Sequence, residues 1–247
     1  MTVDSSNGGG VRIVPIEKPE DFEQTYDCEA ACFGTQTADG LWVGSHPGWD
    51  DPSKRAGFLK SRVERWQKTT TDKNGRPNAV FLKAVVPTAD GEKIVGHAIW
   101  VQASADEGHG DPPADEAKHL ASGKEIYPDD EAEARFVAQG RISLQKYRRI
   151  VAKEKSGTAQ PAWLILDICA VHPDYQGRGI AKKLVQWGVD EAQRRGGLEC
   201  TTEASVMGRR VYEKLGFAMG PEIVYEVDAE FADRKNPSNV FMRTGGF

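Results

Sequence analysis

Gln176-Gly177-Arg178-Gly179-Ile180-Ala181 is the stretch of this sequence with the clearest chemical content. Its two glycines let main-chain amides approach a ligand closely. The loop runs straight into a helical pattern, where unpaired N–H groups and the positive end of the helix dipole favour an anion. Arg178, Lys182 and Lys183 sharpen this reading, because acidic residues are favoured at a helix start and cations there call for a bound anion. The alternative is a plain strand-to-helix turn with a solvated basic face. Two nucleotide motifs are excluded by spacing: no Gly-Lys-Ser/Thr follows a four-residue gap, and Lys182 stands where a dinucleotide-binding turn needs a third small residue.

Other candidate groups flank this loop. Asp167 interrupts an otherwise apolar run and, by two-residue alternation, shares a face with Cys169 and Val171. A carboxylate buried there has a raised pKa; the alternative is a structural Asp paired with a neighbouring strand or an arginine. Glu203 ends the following strand, either as a functional acid or as one that merely favours a helix start. Tyr212, beside Val211 on a short helix with Leu215, is placed at the rim of the core with its hydroxyl toward a cleft, or else is a core tyrosine. The four cysteines are too few and too scattered for a disulfide framework or zinc site, although Cys28 and Cys32 share a helix face. No histidine has a Ser or Cys partner at a recognisable spacing, so His46, His97, His109, His119 and His172 receive no catalytic role.

These groups need elements to position them. Residues 162–171 form a nearly continuous apolar run, as expected of a central strand covered on both faces. A helix follows the loop, with Ala181, Leu184, Val185, Gly188, Val189 and Ala192 on one face, ended by Gly196-Gly197. Beyond it the pattern predicts a strand over 198–203, a short helix over 205–215, and closing strands over 217–227 and 240–244. Upstream, a strand over 11–17 leads into a helix from Pro19 through Cys32, a turn-rich loop over 34–52, and a helix over 53–69. A hairpin of 79–86 and 93–102 then turns at Asp90-Gly91. The segment 103–160 stands apart. Ten acids against Lys118 and Lys124 lie between Ala105 and Arg135, Asp111-Pro112-Pro113 breaks any helix, and 129–155 predicts one helix with acids first and bases last.

Composition bounds the function. The apolar fraction of 39% rises to about 47% once glycine is counted and tyrosine is left out, a globular value that excludes disorder throughout. A net charge of −5, from 32 basic and 37 acidic residues, argues against nucleic acid or an anionic membrane as main partner. No apolar stretch reaches the roughly 18 residues of a membrane span, and the first ten residues lack the apolar segment of a secretory signal. The expectation is a soluble, cytoplasmic protein with a flexible tail at 1–10, one domain over 11–247, and an acidic, helical insertion at 103–160.

With Gln176, Gly179 and Ala181 in the fixed positions of Gln/Arg-x-x-Gly-x-Gly/Ala, the sequence resembles the GNAT superfamily of N-acetyltransferases. The strand end Val171-His172-Pro173, the loop, its helix and Tyr212-Glu213-Lys214-Leu215-Gly216-Phe217 match that family's core in order and spacing. The likeness is close over 162–217; segment 103–160 departs from the family's usual short connection. It implies an α/β fold with a mixed, splayed sheet flanked by helices, and acetyl transfer from acetyl-CoA to an amine. Main chain at Cys169, Ala170 and Val171 would pair with the pantetheine arm, and Gln176, Gly177, Arg178, Gly179, Ile180, Ala181 and Lys182 would hold the pyrophosphate without a metal. Tyr212 would protonate the departing thiolate, and Asp167 or Glu203, directly or through water, would take the amine proton. Trp42 and Trp49 fall where the family's acceptor sites are lined, either to meet the acceptor or simply to pack. The insertion is expected to act as a lid, its acids either drawing in a cationic amine or forming a solvated or mobile face. The competing reading is a non-catalytic acyl-CoA-binding module.

Overall fold

The computed structural model describes residues 10–89 and 91–247. The expected tail at 1–10 falls, except for Gly10, outside the described residues, as does Asp90 of the expected hairpin turn.

Seven strands form one sheet in the order β1-β2-β3-β4-β5-β7-β6, with β1 Arg12–Pro15, β2 Ala79–Thr88, β3 Gly91–Ala103, β4 Trp163–Val171, β5 Glu199–Ser205, β6 Ala218–Glu222 and β7 Asn239–Arg243. Every neighbouring pair is antiparallel except β4 and β5. That parallel pair demands a crossover, which the helix α7 (Ile180–Arg194) provides. The mixed, helix-flanked sheet is the expected fold class.

Strand alternation divides the core. Leu164 and Leu166 of β4 join Trp100, Ile180, Leu184 and Val185 under α7. Trp163 and Ile165 face the other way, against Val151 and Ala152. This two-sided burial is why β4 is an unbroken apolar run up to Leu166. On the α7 side the approach is close. Gly188 lies over the fully buried Trp100 ring, whose Nε1 donates to Leu184 O at 3.3 Å. A Cβ at 188 would fall inside that ring's van der Waals envelope. Gly188→Ala is therefore expected to lower stability by about 2 kcal/mol, overriding its gain in helix propensity. Denaturant titration checks this; an unchanged unfolding midpoint would refute the packing argument.

On the opposite face lie α1 (Asp21–Glu29), which continues as a π-helical turn over Ala30–Gln36, and α3 (Pro52–Gln67). The turn-rich loop of 34–52 contains a short helix, α2 (Gly40–Ser45), started by Asp39, whose side chain accepts from the amides of Leu41 and Trp42. The segment between β3 and β4 holds three helices where one was expected: α4 (Glu116–Ile126), α5 (Glu131–Leu144) and α6 (Lys146–Lys155). Asp115 and Asp130 cap α4 and α5. The single helix over 129–155 is corrected to two because their faces have different partners. Phe136 and Val137 of α5 pack on Phe231, while Val151 and Ala152 of α6 pack on the sheet. No helix among the described residues is long and apolar enough to cross a membrane.

Candidate active site

Strands β4 and β5 pair only from Trp163↔Glu199 to Leu166↔Thr202. Beyond that point β4 stays with β3 and β5 with β7, so the two strands part like a fork, and Asp167 and Glu203 are the first residues past the split. The β3–β4 register slips there: Trp100 opposes Leu166 and Ile99 opposes Ile168, leaving Asp167 without a partner. Asp167, Ile168 and Cys169, at and beyond the bulge, line a cleft of about 1080 Å³, as do Ile165 and Leu166 before it. The expected alternation is corrected at Asp167: Cys169 and Val171 pack on the cluster under α7, whereas Asp167 meets Arg65 and Arg148. Ala170 and Val171 are buried beyond the bulge.

At the far end of β4 lies the glycine loop. Gly177 and Gly179 take φ of 75° and 77°, a left-handed conformation that other residues reach only with strain, and the space over both is open. Gly179 caps α7 without a side-chain hydrogen bond, and no acid stands in the first turn, so the leading amides of α7 are bare of side-chain partners among the described residues. Ile180 is buried and anchors the helix start; Ala181 is half-buried, while Arg178 and Lys182 are exposed. Gln176 ties the loop down, its Nε2 donating to Val171 O at 3.0 Å while its amide pairs reciprocally with that of Gln36. Arg178 donates to Asp174 O at 2.9 Å and lies over the Tyr175 ring, and Lys183 reaches Val11 O at 3.4 Å.

The expected acids are occupied. Arg148 of α6 bridges the fork: Nη1 donates to Asp167 Oδ1 at 2.7 Å, and Nε and Nη2 to the two oxygens of Glu203 at 2.9 and 2.6 Å. Arg65 of α3 takes the remaining Asp167 oxygen at 2.7 Å. Burial pushes the Asp167 carboxyl up, but Arg65 and Arg148 outweigh it and hold it well below the usual carboxylate range. The expected raised pKa is therefore corrected: the paired alternative describes this residue.

Tyr212, on α8 (Arg209–Glu213), is 8% exposed and lines the same cleft as Cys169. Burial, reinforced by Cys169 and Cys32, holds its hydroxyl pKa well above the ordinary tyrosine value, so it carries its proton. Its position depends on Gly208, where a Cβ would lie 2.9 Å from the hydroxyl oxygen. Burial pushes the Cys169 thiol up to about 12, which leaves it a poor nucleophile.

Three features escape sequence reasoning. Arg148 and Arg65 carry no local signal, being 19 and 102 residues from Asp167. Glu29 is fully buried beside the cleft wall, bonded to Arg62 at 2.9 Å and Trp42 Nε1 at 3.3 Å, with His97 Nε2 at 2.8 Å. His46, given no role from sequence, stacks on Trp42 and lines the cleft. Its Nδ1 lies 2.8 Å from Trp42 O; a carbonyl only accepts, so Nδ1 carries the hydrogen and Nε2 keeps a lone pair. Burial lowers the His46 pKa, so the ring is neutral near pH 7. The Asp39 cap is the sequence signal for α2, and His46 follows directly at the C-terminal end of that helix.

The family model for the acetyltransferase (GNAT) family matches residues 49–217. Among solved structures the chain is similar to Drosophila melanogaster polyamine N-acetyltransferase, which catalyses formation of N-acetylagmatine, at 14% identity over 94% of this chain and 97% of that one, TM-score 0.59. It is similar to mosquito arylalkylamine N-acetyltransferase like 5b at 14% identity, over 95% and 99%, TM-score 0.58. The values for arylalkylamine N-acetyltransferase 2 from Aedes aegypti are 18%, 94% and 97%, and 0.52. At these identities the likeness speaks for the fold. No curated protein matches the sequence.

Proposed function

The chain belongs to the GNAT acetyltransferase family, and on that premise we propose that it moves an acetyl group from acetyl-CoA to a primary amine by direct transfer in a ternary complex. One observation carries this reading: the fork between β4 and β5 opens beside the bare start of α7, with a protonated tyrosine in the same cleft. The amides of residues 177–182 suit a diphosphate, with Gln176 holding their loop, and no metal is needed to complete that cradle. Main chain of Cys169, Ala170 and Val171, freed from β5, offers the pantetheine arm the bonds of an added strand.

An alkylamine with a pKa near 10.4 must lose its proton before it attacks. Asp167 and Glu203 already accept arginine hydrogen bonds at every oxygen, which makes them weak direct acceptors and better suited to orienting the incoming ammonium. The proton instead passes through cleft water to Nε2 of His46. Main-chain amides at the bulge polarise the thioester carbonyl, and Tyr212 gives its proton to the departing sulfur. Region 103–160 forms the lid side of the acceptor cleft, to which α4, α5 and α6 contribute His119, Arg141 and Arg148. Of its acids only Asp111 and Glu125 line the cleft, little support for a site built around a cationic chain. Four free cysteines suit a cytoplasmic setting.

Coenzyme A release measured against a panel of amines across pH tests the proposal. Turnover is expected to fall as pH drops through the lowered pKa of His46, since only the neutral ring accepts a proton. In His46→Gln the inflection due to this ring is expected to disappear along with most of the rate, leaving only the steady rise with pH that follows ionisation of the amine itself. Acetyl-CoA binding without release on any amine would favour the non-catalytic module instead.

A further inference from the structure

Four arginines line the cleft, and three of them meet carboxylates: Arg62 with Glu29, Arg65 with Asp167, and Arg148 with Asp167 and Glu203. Arg141 meets none among the described residues. Its Nε donates to Ser45 Oγ at 3.2 Å and its Nη1 to Ser122 Oγ at 2.8 Å, while Nη2 has no partner among the described residues. Burial lowers its pKa, Asp167 opposing and Arg65 adding to the effect, yet a guanidinium keeps its charge in proteins. A partly buried cation held only by neutral hydroxyls is unfavourable unless an anion completes the site.

The neighbouring groups define that anion. His119 of α4 lines the same cleft at 4% exposure, and its Nε2 has no hydrogen-bond partner among the described residues. Burial, with Arg149, Arg141 and Arg148, pushes its pKa down to about 4, so the ring is neutral at pH 7. One guanidinium, two hydroxyls and a neutral imidazole amount to a single positive charge, which matches a carboxylate better than a phosphate dianion. Tyr26, Trp42 and Phe58 in the adjoining wall suit an aromatic body.

We infer that Arg141, with Ser45, Ser122 and His119, forms a carboxylate subsite, so that the acceptor is an amino acid or a similar amine bearing a carboxylate, and not a bare alkylamine or polyamine. The inference rests on reading this cleft as the acceptor site. The Drosophila neighbour, by contrast, is a polyamine N-acetyltransferase.

Matched pairs test it: tryptophan with tryptamine, phenylalanine with phenethylamine, lysine with cadaverine, and 4-aminobutyrate with propylamine. Each is titrated calorimetrically into the CoA-saturated protein and assayed for coenzyme A release with acetyl-CoA. The amino acid is expected to bind at least about tenfold more tightly than its decarboxylated partner in one pair or more, the worth of one charge-assisted contact. In Arg141→Gln that ratio is expected to collapse to near unity, with Arg141→Lys retaining part of it. No preference for the carboxylate in any pair overturns the inference, as does a preference that survives in Arg141→Gln with acetyl-CoA affinity and unfolding midpoint unchanged. If Arg141→Gln fails to fold, the wild-type ratio and Arg141→Lys decide. Carboxylate-dependent binding without coenzyme A release would uphold the subsite and sink the transfer reaction, whereas release on amines alone would do the reverse.

Discussion

Glutamate at position 179 abolishes acetyl-CoA binding in a protein that still folds: this is the expected result of Gly179→Glu. Among the described residues nothing lies within 4 Å of a Cβ placed on Gly179, so the new side chain leaves the backbone into open space. Its backbone sits at φ 77°, a conformation that costs a non-glycine residue about 1–2 kcal/mol, well within the stability of an ordinary domain. The carboxylate, however, stands at the bare start of α7, where the diphosphate would lie. Two like charges there cost several kcal/mol, an affinity loss of about 100-fold or more. Gly179→Ala separates charge from strain. It bears the same left-handed penalty without a charge and is expected to lose less than about tenfold in affinity. Calorimetry with acetyl-CoA, beside thermal unfolding of each variant, gives the answer. Retained affinity in Gly179→Glu would remove the loop from the cofactor site, and with it the basis for the proposed reaction.

Tyr212→Phe is the second large effect, and it is confined to turnover. Burial holds the hydroxyl's pKa well above the ordinary tyrosine value, so it is protonated near pH 7, and among the described residues it is committed to no hydrogen bond. Phenylalanine retains the ring contact with Phe217 and loses only the donor. The expected outcome is a fall in kcat of about tenfold or more with the acetyl-CoA Kd unchanged, the pattern of an interaction made in the transition state. A thiol leaving group has a pKa near about 8.5, so sulfur needs less help to depart above that value. The deficit of the variant is therefore expected to narrow as pH rises past it. A deficit that is flat with pH would point to misplacement of the cleft, and unchanged turnover would exclude Tyr212 as the acid.

How far each of these sites could be read in advance follows the distance over which its signal acts. The loop of Gln176 to Ala181 and helix α7 were legible because backbone conformation and helical periodicity are written in neighbouring residues. The two positive-φ glycines and the buried face of Leu184, Val185 and Gly188 lie where the pattern places them. Tyr212 was legible for the same reason, as part of a short contiguous run. The helices within 103–160 were half legible. Acids first and bases last located α5 and α6, but apolar spacing carries through Gln145 and does not reveal that the two faces turn to different partners.

Asp167 marks the boundary between what the chain determined alone and what the fold decided. Its place in an apolar run declares that a charge is buried, and burial by itself raises a carboxyl pKa. The direction reverses because Arg65 and Arg148, distant in the chain, are delivered to it by α3 and α6 across the opened fork. His46 and Arg141 acquire their candidate roles in the same way, from helices that meet only around the cleft. Local dihedral preferences and periodic burial act over a few residues and so leave a trace in the sequence. Electrostatic pairing acts through space, and which charges meet is settled only once the sheet has ordered its strands and the helices have packed against it.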